Sequence, residues 1–155
     1  MCIRDSVEID LAGQQSGSGT PGTVTGGRQV KFGDDSVASY AREIAADETA
    51  HVQFLRSQLG SSAVAMPAIN IDGGANGAFT AAARAAGVVG ATGTFDPYLN
   101  DDTWLLGGML LSDVGVTAYK GSAQLIASKT FLEAAAGILA VEAYHSGLIL
   151  SLIHI

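Results

Sequence analysis

Basic side chains are scarce: eight Lys and Arg stand against fifteen Asp and Glu, for a net charge of −7. A polyanion would find no basic face on such a chain, so nucleic acid is excluded as a partner. Cysteine is nearly absent. The single one, Cys2, cannot close an internal disulfide and leaves the compartment open. Aromatic residues make up only 6% while hydrophobic residues reach 48%, with Ala and Gly abundant. That balance favours closely packed helices over a sheet sandwich, which would need more aromatic and β-branched residues. At 155 residues the chain fits one domain with a substantial core.

The two ends are set apart from the rest. Met1–Ser6 (MCIRDS) and 150–155 (LSLIHI) resemble translated sequencing-adapter ends of the kind found in metagenomic assemblies, which excludes Cys2 and His154 from any functional role. The expected organisation is therefore threefold. Residues 1–33 hold the remnant of a truncated first helix, Val7–Ala12, and a Gly/Ser-rich connection. Residues 34–149 form a helical bundle, and 150–155 are an artefactual tail.

Gly13–Gly33 (GQQSGSGTPGTVTGGRQVKFG) reads as a flexible surface linker, since no Gly-Lys-Ser/Thr follows to make a phosphate loop. Asp34, Asp35 and Ser36 then offer N-caps for a helix that runs to Leu59, where Gly60 ends it. At 100° per residue, Val37, Tyr40, Ala41, Ile44, Ala45, Val52, Leu55 and Leu59 fall on one stripe. Ser61–Ile71, with Pro67, is an extended crossing, and Asn76–Ala86 a short Ala-rich helix closed by Gly87. From Asn100 or Asp101 a helix apolar nearly all round should run to about Ala127 and be buried among others. Thr130 and Glu133 form a T-x-x-E capping box that opens the last helix, through about Leu150.

Polar residues inside these apolar helices carry the chemistry. Glu142 and His145 sit three residues apart, so both side chains leave one face of the last helix within a turn. Glu48 and His51 repeat the arrangement within the stripe of the first long helix. With five glutamates in the chain, a Glu-x-x-His at both non-tail histidines arises by chance in roughly one case in a thousand. A buried lone carboxylate is costly unless paired or metal-bound. Asp113 adds an acidic residue in the middle of a third helix. Two Glu-x-x-His helices and this aspartate are the parts of a carboxylate metal site in a four-helix bundle, where carboxylates neutralise Fe or Mn and imidazoles complete the coordination. Asp113 is either a ligand, an outer hydrogen-bond acceptor for a ligand histidine, or the partner of Lys120.

Two other readings compete. The polar groups could be a buried hydrogen-bond network kept for packing specificity in a non-catalytic bundle. The two long apolar helices could be a membrane hairpin, against which stand Asp113, Lys120, Glu133, Glu142 and His145, since intramembrane charges are expensive. No stable membrane insertion is expected.

The segments ADETAHVQFLRSQLG (Ala46–Gly60), FDPYLNDDTWLLGGMLLSDVGVTAYKGSA (Phe95–Ala123) and LEAAAGILAVEAYHSG (Leu132–Gly147) resemble the bacterial ferritin-like domain proteins related to the plant desiccation-related proteins. The resemblance covers about residues 26–149. It implies an all-α, ferritin-like four-helix bundle with the first helix truncated or missing. It also implies Fe or Mn, up to a dinuclear site, held by Glu48, His51, Glu142 and His145. A stress- or desiccation-associated role and export of the intact parent are implied as well. Where relatives often read Glu-Asp-Val-Gly, this chain reads Ser112-Asp113-Val114-Gly115. A bundle short of its first helix would expose an apolar groove, so self-association is expected.

Overall fold

A computed structural model describes residues 13–154; the expectations placed on Cys2 and Val7–Ala12 lie outside the described residues. The chain divides into two compact units, Met1–Thr103 and Trp104–Ile155.

In the first unit the main element is α1, Asp35–Leu59. Its N-cap is Asp34, whose carboxylate accepts from the backbone N–H of Ser36 (2.7 Å) and Val37 (3.1 Å), two groups that would otherwise lack a helical partner. Gly60 ends the helix at φ +51°, a conformation that L side chains rarely adopt, and its N–H closes on the carbonyl of Arg56. Both helix boundaries are as the sequence predicts. The burial pattern is not. Val37, Ala38, Ala41, Ile44 and Ala45 are buried, but the stripe stops there, and Val52 and Leu59 are 38% and 43% exposed. Nothing in the sequence of α1 marks that change, because periodicity names a face and not the length over which it is covered.

The Gly-rich stretch is a tethered ribbon and not a flexible linker. Strand β1 (Val24–Thr25) pairs in parallel with β2 (Ile69–Asn70), and Ser18 forms a further bridge with Val64. Backbone bonds continue along both sides: Ser18 N to Ala63 O (2.8 Å), Gly22 N to Met66 O (2.7 Å) and Ile71 N to Thr25 O (2.8 Å). The glycines serve close approach. A Cβ on Gly22 would stand 2.1 Å from the nitrogen of Ala68, and one on Gly17 would stand 2.5 Å from the carbonyl carbon of Val64. Read from composition, such glycines look like flexibility; here they let two backbones touch.

The short helix α2 (Ala78–Ala85) follows, and Gly87 leaves it at φ +72°. Its buried Thr80 both accepts from Phe95 N (2.9 Å) and donates to Phe95 O (3.2 Å). Arg28 pairs with Asp96 at 2.5 Å and stacks over the Tyr98 ring, whose hydroxyl donates to Ile71 O. Asp101 accepts from the backbone N–H of Gly33 (2.9 Å) and Asp34 (3.1 Å), which fixes the entry to α1 against the entry to the next long helix.

That helix, α3, spans Asp101–Ser122 and is capped by Asn100, whose side chain accepts from Thr103 N (3.0 Å). It stops short of the expected Ala127 and tightens into a 3-10 turn over Ala123–Leu125. Gly121 and Ser122 hold a helix weakly, and the Ser122 hydroxyl donates back to the Tyr119 carbonyl. Nor is α3 buried all round. Trp104, Leu105, Gly107, Gly108 and Ser112 are covered, whereas Leu106, Leu110 and Val114 face solvent.

The last helix, α4, spans Lys129–His154. Its cap is Ser128, which accepts Phe131 N on its hydroxyl (3.4 Å) and Leu132 N on its carbonyl (2.9 Å). Thr130 already lies inside the helix, so the expected Thr130–Glu133 box does not form. A serine two residues upstream has the same chemistry, and the sequence alone ranks the two equally. The helix continues through Leu150–His154, where His154 Nδ1 lies 2.7 Å from Leu150 O. In the second unit α3 and α4 run antiparallel: Asp113 meets Ser146, and two residues further along α3 Gly115 meets Glu142, one turn earlier on α4. Among the described residues α4 is the one helix long and apolar enough to cross a membrane by length and composition.

Candidate metal centre

The buried residues of α4 are Ala135, Ile138, Glu142, His145 and Ile149. Their spacing of three, four, three and four is the apolar seam of a helix that packs along one side. Two of the five seam positions carry the glutamate and the histidine of the second motif. Glu142 is 6% exposed and His145 is fully buried. The surrounding sequence, LEAAAGILAVEAYHSGLIL, is a strong helix former with no other ionisable group between Glu133 and Glu142. The helix thus forms on propensity and then carries two polar groups where packing asks for apolar ones. Such placement is destabilising unless the groups meet partners or a ligand.

Facing Glu142 is a bare stretch of α3. Its covered positions Leu105, Gly108 and Ser112 step by three and four, and the next step of three reaches Gly115. A Cβ on Gly115 would stand 2.6 Å from Oε2, 2.7 Å from Cδ and 3.2 Å from Cγ of Glu142. The carboxylate therefore occupies the volume that any side chain at position 115 would fill.

Asp113 is placed differently. Its carboxylate is exposed and accepts a 2.6 Å hydrogen bond from the hydroxyl of Ser146, the residue after His145. That bond, and not a pairing with Lys120, is what holds Asp113 against α4.

The first motif lies in the other unit. Glu48 and His51 share a face of α1, with His51 Nδ1 3.6 Å from Glu48 Oε2, and both are half-buried. They lie beyond Ala45, on the part of α1 where its apolar stripe is no longer covered. Each Glu-x-x-His thus places its carboxylate and imidazole on one helix face, as the spacing requires.

Sequence reasoning passed over two residues of this region. Gly115 is present in the quoted Ser-Asp-Val-Gly string, but nothing in the string says that it touches Glu142. The available signal is the cost of a glycine inside a helix, which needs a packing reason to persist. Ser146 carries no signal at all, because a serine on a helix face is ordinary.

A carboxylate and an imidazole buried together on one seam of a helix, against an antiparallel neighbour, are the parts from which helical carboxylate metal proteins are built. The family model of the ferritin-like domain matches residues 16–154, and the chain belongs to that family. No curated protein and no solved structure matches it. The expected fold class, all-α and of the ferritin-like four-helix kind, is what the four helices among the described residues and this match bear out.

Within the second unit, Glu142 and His145 are a carboxylate and an imidazole, donors of the kinds that ligate metal ions, and the cradle over Gly115 holds the carboxylate nearly out of water.

Proposed function

We propose that the chain is a metal-binding ferritin-like domain in which Glu48, His51, Glu142 and His145 supply the donors for Fe or Mn, in a mononuclear or dinuclear arrangement. The observation that carries this reading is the burial of Glu142 and His145 side by side in the α4 seam. A fold that spends two seam positions on a carboxylate and an imidazole forgoes apolar packing there, and metal ligation is the use that offsets it. Asp113 enters through Ser146 as an outer support of α4 and not as a ligand.

A bound Fe or Mn would supply Lewis-acid and redox chemistry at an open coordination position. The residues' own part is to neutralise the ion, fix its ligands on rigid helices and keep water from the Glu142 side. Oxidase or metal-handling chemistry, in the stress- or desiccation-associated setting that the resemblance implies, is the reaction class we assign. The exposed apolar side chains of α3 and α4 add self-association to the proposal.

The alternative is a non-catalytic, stress-protective bundle, and the Asp113–Ser146 bond favours it as a purely structural link between helices. Elemental analysis of protein reconstituted with Fe(II) or Mn(II) separates the two, with Glu48→Ala/His145→Ala as control. About two ions per chain, lost in the control, are expected for a dinuclear site. A well-folded protein with no metal above the control's background would leave the structural bundle as the function.

A further inference from the structure

Gly115 has no conformational reason to be a glycine. It lies inside α3, its φ is an ordinary helical one, and in that setting glycine is less favourable than alanine. Three other glycines in α3 and α4 give the comparison: at Gly121, Gly137 and Gly147 a Cβ would meet nothing within 4 Å. At Gly115 the three nearest atoms it would meet all belong to one side chain, that of Glu142: Oε2, Cδ and Cγ.

We propose that Gly115 is a positioning residue for the Glu142 carboxylate: the missing side chain on α3 is what lets the buried glutamate of α4 lie where a ligand is needed. The proposal rests on the metal-binding reading for its purpose, but the contact itself does not depend on that reading. The atoms in the way belong to the far end of a flexible side chain, so a methyl group at position 115 need not disrupt the helix pair. It must instead move the carboxylate. Glu142 is nearly enclosed, so the displaced group cannot swing freely into water. Residue 115 therefore selects where the negative charge sits, and with it which ion geometry the site accepts. The same logic assigns specificity to a residue that bears no donor atom.

The contact predicts a dependence that a helix-propensity effect cannot produce. On the full chain in EDTA, melting temperatures are compared for the wild type, Gly115→Ala, Glu142→Ala and the double variant, with Gly137→Ala as control. Gly137→Ala should raise the melting temperature, as alanine in an open helical position does. Gly115→Ala should fail to raise it in the wild-type background and should raise it once Glu142→Ala has removed the side chain that collides. Equal shifts of Gly115→Ala in both backgrounds would overturn the proposal.

A second arm uses Co(II) alone as a spectroscopic probe. Gly115→Ala should weaken Co(II) binding roughly tenfold or more and change the intensity of the visible d–d bands, with the far-UV circular dichroism unchanged. Unaltered affinity and bands would overturn the positioning role at the metal. If even the wild type binds no Co(II) while the melting cycle shows the coupling, Gly115 stands as the positioning residue of Glu142, and it is the metal reading that falls.

Discussion

Ser146 donates to Asp113 across 2.6 Å, and this bond ties the middle of α4 to the middle of α3. It lies at the surface, one residue from fully buried His145. A hydrogen bond to a charged group in an exposed place contributes at the lower end of its range, so Asp113→Ala should cost about 1 kcal/mol in urea denaturation. The ion count after reconstitution should stay at the wild-type level, while Glu142→Ala should reduce it. A loss in Asp113→Ala as complete as in Glu142→Ala would place the aspartate among the ligands.

Glu142 and His145 occupy seam positions that α4 would otherwise fill with apolar groups. Replacing both members of a buried polar pair by apolar residues of similar volume is often stabilising, whereas removing one leaves the other stranded. The double variant Glu142→Met/His145→Leu should therefore gain about 1–3 kcal/mol in the metal-free protein. The same variant should bind less Fe(II) or Mn(II) than the wild type. Chemical denaturation in the presence of a chelator reads the first effect. A double variant less stable than the wild type would mean that the two polar groups already satisfy each other without an ion.

How far the sequence predicts these features depends on the range of the physics behind each one. The start and end of α1 are local: an aspartate that can accept two backbone N–H groups and a glycine that can take positive φ each lie next to the helix end they close, so Asp34 and Gly60 are legible. The motif faces are legible for the same reason, since three residues along a helix fix Glu142 and His145 to one side. The ribbon of Gly13–Gly33 is not, because its partner, 63–71, is some forty residues away and glycine's composition signals looseness and close approach alike. The exposed half of the α1 stripe and the cap at Ser128 fail on different grounds. One depends on how much of a face is covered, and the other on a choice between two equivalent hydroxyls. Gly115 is the most instructive case, since its partner belongs to another helix and its own residue type carries no chemistry.

Asp34 gives the chain a pH dependence with a definite sign. The N–H groups of Val37 and Ser36, from which it accepts, hold its carboxyl below the ordinary value of 3.8. A carboxyl whose pKa is lower in the folded state binds its proton more readily when unfolded. Its stabilising effect is therefore complete above 3.8 and is lost as the pH falls through the lower folded value. Asn is nearly as good an N-cap, so Asp34→Asn should melt close to the wild type at neutral pH and lose less stability on acidification. Parallel melting curves between pH 2 and pH 5 would show it, and superimposable acid profiles would remove Asp34 from the account.

The last expectation concerns association. Leu106, Leu110 and Val114 follow one another by single turns along α3, and all three are exposed, Val114 at 53%. On α4, Tyr144 at 52% and Leu150 are exposed as well. Apolar area withdrawn from water contributes about 25 cal/mol per Å², so a continuous patch of such side chains favours association once its size offsets the entropy lost on binding. Sedimentation velocity should show an average mass that rises with concentration. Leu110→Lys and Leu150→Lys should shift the distribution toward monomer without lowering the melting temperature, because neither side chain is part of a buried seam. The same patch on a helix able to span a bilayer would respond otherwise, with detergent dispersing the protein where lysine substitution does not. A single monomeric species at every concentration, in the wild type and without detergent, would show that these side chains remain in water at no consequence to the fold.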